Sequence, residues 1–229
     1  MKFGVITFPG SNCDQDMVYT LESMLDQKVE KLWHKDHDLK GVDFVILPGG
    51  FSYGDYLRSG AIASFSPIMQ SVIEHANKGG YVMGVCNGYQ MLTETHLLDG
   101  ALLHNNSQKF ICKNVFLKPT SKSAPITQNL DFDKVYKIPI AHGEGRFYAS
   151  EDELKRLQDN DQILFKYATE SGEVADESNP NGSLLSIAGT TNKGKNVFGM
   201  MPHPERAVDP NLGNTDGRAI FMSVLKQLV

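Results

Sequence analysis

At 229 residues, 41% hydrophobic and 21% charged, the chain can bury a full core without disulfide or metal staples. Its 22 basic and 27 acidic residues leave a net charge of −5, which argues against nucleic acid as a partner, because phosphate binding needs clustered Lys and Arg. The three cysteines, Cys13, Cys86 and Cys112, fit neither a disulfide framework nor zinc spacing. No apolar run reaches the roughly 18 residues of a membrane span. The apolar run at residues 3–8 stops at Pro9-Gly10 with no cleavage site behind it, so a cytoplasmic protein with no membrane contact is expected. Two Asn-x-Ser sequons, at Asn105 and Asn181, then read as chance.

In chain order, residues 2–8 form a short apolar strand, and 14–26 carry Met17, Leu21, Met24 and Leu25 at helical spacing. Asp14 and Asp16 fall in the first turn, where the helix dipole favours anions. Strands follow near 28–33 and at 42–47, the latter ending in Pro48-Gly49-Gly50. A helix is predicted over 61–76, closed by Lys78-Gly79-Gly80, then a strand at 81–86 and a helix at 88–95. Strand and helix thus alternate through the first hundred residues, with Gly and Pro turns after the strands, as in a parallel doubly wound sheet. Ligands bind such sheets beyond the carboxyl ends of the strands. The turns at 9–14, 48–55 and 86–90 all fall there. The second half turns strand-rich, at 110–117, 135–141, 162–168, 184–190 and 196–201, with few helices between. The last helix, 216–228, puts Ala219, Ile220, Val224, Leu225 and Leu228 on one face. With no linker or repeat, the expectation is an α/β fold forming one domain over 1–229: a three-layer, mostly parallel sheet with an antiparallel extension.

Gly84-Val85-Cys86-Asn87-Gly88 has the form of a nucleophile elbow with Cys in place of Ser. A sharp strand-to-helix turn pushes the side chain out of the sheet, glycines on either side make room, and the helix N-terminus favours thiolate. Cys13 and Cys112 lack that setting and read as structural. A nucleophilic Cys needs a base, and the base an orienting partner. Met201-Pro202-His203-Pro204-Glu205 offers both: prolines flanking His203 predict an extended segment in which residues two apart share a side, so Glu205 can reach the imidazole. The turn at Gly49-Gly50 lets backbone N–H groups approach a ligand. The N–H groups of Gly50 and Asn87 are the natural oxyanion donors. His142, in a glycine-flanked loop with charges, reads equally as a pocket residue or an ordinary turn. The segment from Gly189 to Lys195 nearly spells a phosphate-binding loop, but Asn196 replaces the Ser or Thr and a strand follows, so a hairpin turn is predicted and no nucleotide site.

These motifs resemble the class I (triad) glutamine amidotransferases, which have a flavodoxin-like fold. Within them, residues 8–14, 47–63, 84–92, 139–147, 179–183 and 198–206 are most similar to the glutaminase subunits of a purine-forming synthase. The resemblance implies Cys86 as nucleophile, His203 as acid and base, Glu205 as its orienting group, and L-glutamine as substrate. It places Gln90, with Gly49, Gly50 and Asn87, on that substrate. It implies no cofactor in this chain, with ATP and magnesium on a separate PurL-type synthetase subunit and a small PurS-type subunit completing the complex. Ser11, Arg58, His142 and Arg146 are further candidates for the pocket or for a partner-facing surface, the latter expected over 51–59 and 141–147. No metal site is expected.

Overall fold

The computed structural model describes residues 1–228. The side chain of Leu228, assigned above to the apolar face of the last helix, lies outside the described residues. The sheet begins with β1 (Lys2–Thr7), β2 (Lys28–Trp33), β3 (Phe44–Leu47) and β4 (Tyr81–Val85), all parallel, interleaved with helices α1 (Asp14–Tyr19), α2 (Pro67–Asn77) and α3 (Asn87–Glu94). There follow β5 (Ala101–Leu103), β6 (Ile111–Pro119), β7 (Tyr136–His142), β8 (Arg146–Tyr148), α4 (Glu151–Asp159), β9 (Ile163–Ala168), β10 (Ile187–Thr191), β11 (Val197–Met200) and α5 (Asp216–Leu228).

Among the described residues, nine strands form one sheet in the order β2-β1-β3-β4-β11-β10-β9-β6-β7, while β5 and β8 pair separately. β11 joins β4 in parallel, and every pairing from β11 to β7 is antiparallel, so the expected parallel core with an antiparallel extension is what forms. The inner parallel strands β1, β3, β4 and β11 are buried nearly throughout, as strands covered on both faces must be, whereas the edge strand β2 buries only Leu32. The segment that nearly spells a phosphate-binding loop is the β10–β11 hairpin. Among the described residues no helix is long and apolar enough to cross a membrane.

Several boundaries differ from the sequence reading. The helix expected over 61–76 starts only at Pro67, because a proline disfavours helical backbone at the residue before it and Ser66 is extended. A 3₁₀ turn, Ala63–Phe65, fills the space before it. The helix from Asp14 loosens into a π turn at Thr20–Met24. α4 went unpredicted although Ser150 and Glu153 form a full capping box, for only Leu157 of that helix is buried and its apolar periodicity is faint. Asn105 and Asn181 are wholly buried, and both bind the loop after β7, which confirms their sequons as chance.

Candidate active site

The strand order reverses at β1, with β2 on one side and β3 on the other, and ligands of open α/β sheets collect at such a point. Here the turns after β1 and β3 touch: Ser11 and Gly50 form a β-bridge, and Phe51 N–H donates to Gly10 O at 3.1 Å. Next to them β4 runs into α3 through Cys86, whose φ of +51° and ψ of −106° are forced values for a residue with a side chain. Glycine permits the turn. A Cβ on Gly88 would lie 1.9 Å from Leu47 O, and one on Gly84 would lie 2.5 Å from the Gly88 carbonyl. Cys86 is pinned by its N–H to Met200 O at 2.8 Å and by Gln90 N–H to its own carbonyl at 3.1 Å.

His203 follows β11, the strand beside β4. Its N–H donates to Pro139 O of β7 at 2.8 Å, and its Nδ1 lies 2.7 Å from Glu205 Oε1, with both side chains sealed from solvent. The two side chains meet as expected, but not through extended chain. Pro204–Arg206 is a 3₁₀ turn closed by Arg206 N–H to His203 O, and the turn brings the carboxylate round. Burial opposes a charged imidazole. Even so, the Glu205 carboxylate, then the sulfurs of Cys86 and Cys13, hold the ring well above its ordinary titration range. Its Nε2 is buried and unpartnered among the described residues.

A cleft of about 200 Å³ joins these groups, with Cys86, His203, Cys13, Arg206 and Asn12 on its polar side. Phe51, Phe110, Ala141 and Gly50 form the rest of its wall. Gly49 lies beneath it, packed so closely that a Cβ there would be 2.7 Å from His203 Cε1 and 3.4 Å from Cys86 Cβ. Neither Gly50 N–H, on a residue at φ +137°, nor Asn87 N–H, the first of α3, has a protein acceptor among the described residues.

Cys13, read from the sequence as structural, is placed at the cleft by the structure. It is buried, its Sγ lies 3.2 Å from Arg206 Nη2, and it shares the cleft with Cys86. The signal was its place at the carboxyl end of β1. Arg206, adjacent to Glu205, was missed too. Cys112, exposed on β6 opposite Ala141, does not line the cleft.

The other candidates divide. Gln90 is buried but set back: its Nε2 donates to Glu144 O at 2.6 Å and its Oε1 accepts from Asn87 Nδ2 at 2.8 Å. His142 is buried, with Nδ1 3.0 Å from Asn105 Oδ1. Burial and the neighbouring His203 charge push its pKa down to about 4, so the ring is neutral. Ser11 turns its hydroxyl back to Phe8 N–H. Arg58 pairs with Glu94, and Arg146 donates to His104 O at 3.0 Å; neither lines the cleft.

Fold and site together define an α/β protein with a strained thiol elbow, an imidazole beside it and a buried carboxylate behind the imidazole. The chain belongs to the CobB/CobQ-like glutamine amidotransferase domain family, whose model matches residues 1–218. It is 56% identical over 222 residues to the phosphoribosylformylglycinamidine synthase subunit PurQ of Synechocystis sp., covering 97% of this chain and 99% of that protein. The same-named subunit of Salinibacter ruber is 52% identical over 227 residues, 99% of this chain and 97% of that one. Among solved structures, a chain of "PurLQS from Thermotoga maritima" superposes with a TM-score of 0.87 at 39% identity, covering 100% of this chain and 99% of that one.

Proposed function

We propose that this chain is the glutaminase subunit of phosphoribosylformylglycinamidine synthase. It hydrolyses L-glutamine and passes the ammonia to an ATP-dependent, PurL-type synthetase subunit, which converts formylglycinamide ribonucleotide to the amidine in purine biosynthesis. A small PurS-type subunit completes the complex, and ATP and magnesium belong to the synthetase. The names of full-length relatives at more than 50% identity support the assignment. The single observation that carries the chemistry is the buried His203–Glu205 pair opening onto the cleft that holds Cys86.

Cys86 Sγ attacks the side-chain carbonyl carbon of glutamine, and the oxygen takes up negative charge facing the N–H groups of Gly50 and Asn87. Each such donor is worth roughly 3 kcal/mol in the transition state. His203, charged at rest, gives its proton to the departing nitrogen as the C–N bond breaks, leaving a γ-glutamyl thioester and ammonia. The now neutral imidazole takes a proton from water, the hydroxyl adds to the thioester, and glutamate leaves as the Cys86 thiolate returns. Glu205 orients the ring and stabilises its charge.

The continuous sheet supports a single amidotransferase domain, and three unpaired cysteines suit a cytoplasmic, reducing setting. The loops around the cleft expose Phe51, Tyr56 and Phe110, aromatic side chains of the type enriched at interfaces. These loops form the synthetase-facing surface. The test is a glutamine hydrolysis assay on the chain alone and with the synthetase and its nucleotide ligands. Weak activity alone and at least about tenfold activation on assembly, or about 1.4 kcal/mol of barrier, is expected. Full activity without the partner would refute the dependence.

A further inference from the structure

The side chain of Asn87 is almost wholly buried, and both of its polar atoms reach into the loop after β3. Oδ1 accepts from Ser52 N–H at 3.1 Å, while Nδ2 donates to Asp55 Oδ1 at 3.2 Å and to Gln90 Oε1 at 2.8 Å. The loop it grips is not self-supporting. Tyr53, Gly54 and Asp55 stand at φ +54°, +72° and +54°, three successive left-handed residues of which two carry side chains. Such backbone persists only where its surroundings over-determine it. Pro9 O, bound by Tyr53 N–H at 2.6 Å, and His34 Nδ1, 2.7 Å from the Tyr53 hydroxyl, hold the loop from the β1–β2 side. Asn87 holds it from the elbow.

This loop begins at Gly50, one of the two N–H donors assigned to the oxyanion, and the other donor is the backbone N–H of Asn87 itself. The donors therefore belong to segments far apart in sequence; the Asn87 carboxamide ties one to the other beside the elbow, and Arg58–Glu94 links them again at the surface. We propose that the Asn87 side chain is a positioning residue for the oxyanion hole: through Ser52 and Asp55 it sets the spacing between the two donors. This rests on the glutaminase reading above. Because an oxyanion exists only when the carbonyl has become tetrahedral, the clamp acts on turnover and not on substrate affinity or on the reactivity of the sulfur.

The test uses the synthase complex with Asn87→Ala, Asp55→Ala and Asp55→Asn chains. Three quantities are read: kcat and KM for glutamine, inhibition by glutamate γ-semialdehyde, and alkylation of Cys86 by iodoacetamide. The semialdehyde adds to the thiolate as a tetrahedral mimic, whereas the alkylation generates no oxyanion. Asn87→Ala is expected to lose about 100-fold in kcat and in semialdehyde affinity, the scale of one oxyanion donor, with KM and alkylation within about threefold of wild type. Asp55→Ala should lose about fivefold in the same two quantities, and Asp55→Asn, whose side-chain oxygen still accepts from Asn87, should recover them. If Asn87→Ala does not fold, the Asp55 pair carries the test, since only a clamp is restored by the amide. Semialdehyde affinity unchanged in both alanine variants, or alkylation falling in parallel with kcat, would overturn the assignment. A wild-type complex that neither hydrolyses glutamine nor binds the semialdehyde would instead overturn the glutaminase reading beneath it.

Discussion

Strands β1, β3 and β4 each end at the cleft, and the turns that follow them bring Cys13, Gly50 and Cys86 to it. The antiparallel strands touch it chiefly through β7, the far edge of the sheet, where Pro139 O holds His203 N–H and Ala141 O lies 3.8 Å from Cys86 Sγ. Four strands separate β7 from β4 in sheet order, so the sheet must coil to bring that edge back over the elbow. The parallel half presents reactive groups at strand ends. The extension presents backbone carbonyls and a wall. Chemistry should therefore be acutely sensitive to single side chains in the first region, and stability, more than chemistry, to those in the second.

The largest effect expected in the parallel half is that of Cys86→Ala. It should lower glutamine hydrolysis by at least about four orders of magnitude, as loss of a covalent nucleophile does. With the ATP chemistry in the partner, as proposed, the assembled synthase should still make the amidine from high ammonium. An ammonium-dependent rate falling equally would show that the residue supports assembly instead. Glu205→Gln should be about two orders less severe, since the imidazole keeps a hydrogen-bonding neighbour but loses the carboxylate that stabilises its charge. Steady-state kinetics on the same complex checks the ranking.

In the extension the expectation inverts. Leu117 of β6 is fully buried, and Leu117→Ala should cost about 2–5 kcal/mol of stability. Its kcat per folded molecule should stay within about threefold, small beside an oxyanion-scale loss. Urea unfolding beside kcat decides it, and a large loss of kcat in the folded fraction would break the comparison.

The remaining effects are electrostatic, vanish near neutral pH or above, and are of opposite sign. His142 titrates near 4 against 6.5 when free, so the unfolded chain binds the extra proton and stability falls as pH drops from about 6.5 towards 4. The cost by pH 4 is on the order of 3 kcal/mol. Asp55, raised to about 6 by burial and then by the nearby Glu144 despite bonds from Ser59 and Asn87, binds its proton more tightly when folded. Its contribution is full below about 3.8 and is lost as pH rises through about 6. Half-exposed, Asp55 should have the weaker slope. Unfolding curves over that range should flatten on the acid side in His142→Asn and steepen in Asp55→Asn.

What the sequence made legible follows the same division. The elbow at Cys86, the Gly49-Gly50 turn and the prolines around His203 are local patterns with local causes, and the structure places all three at one cleft. The place of Cys13 and Arg206 at the cleft was not legible, because it comes from β1 and β11 lying within two strands of β4, which no local pattern encodes. The same holds for β7 returning to the elbow. α4 was missed for the opposite reason: its capping box was plain, but with one buried residue it offers little apolar periodicity to follow.

The central claim is that Cys86, and not its neighbour Cys13, carries the acyl group. Its most direct test is to mix the complex with glutamine, quench in acid during turnover, and digest for peptide mass spectrometry. A γ-glutamyl increment on the peptide containing Cys86, absent from the Cys86→Ala chain and still present in a Cys13→Ser chain, is the predicted result. An increment on the Cys13 peptide, or turnover persisting in Cys86→Ala, would contradict the account.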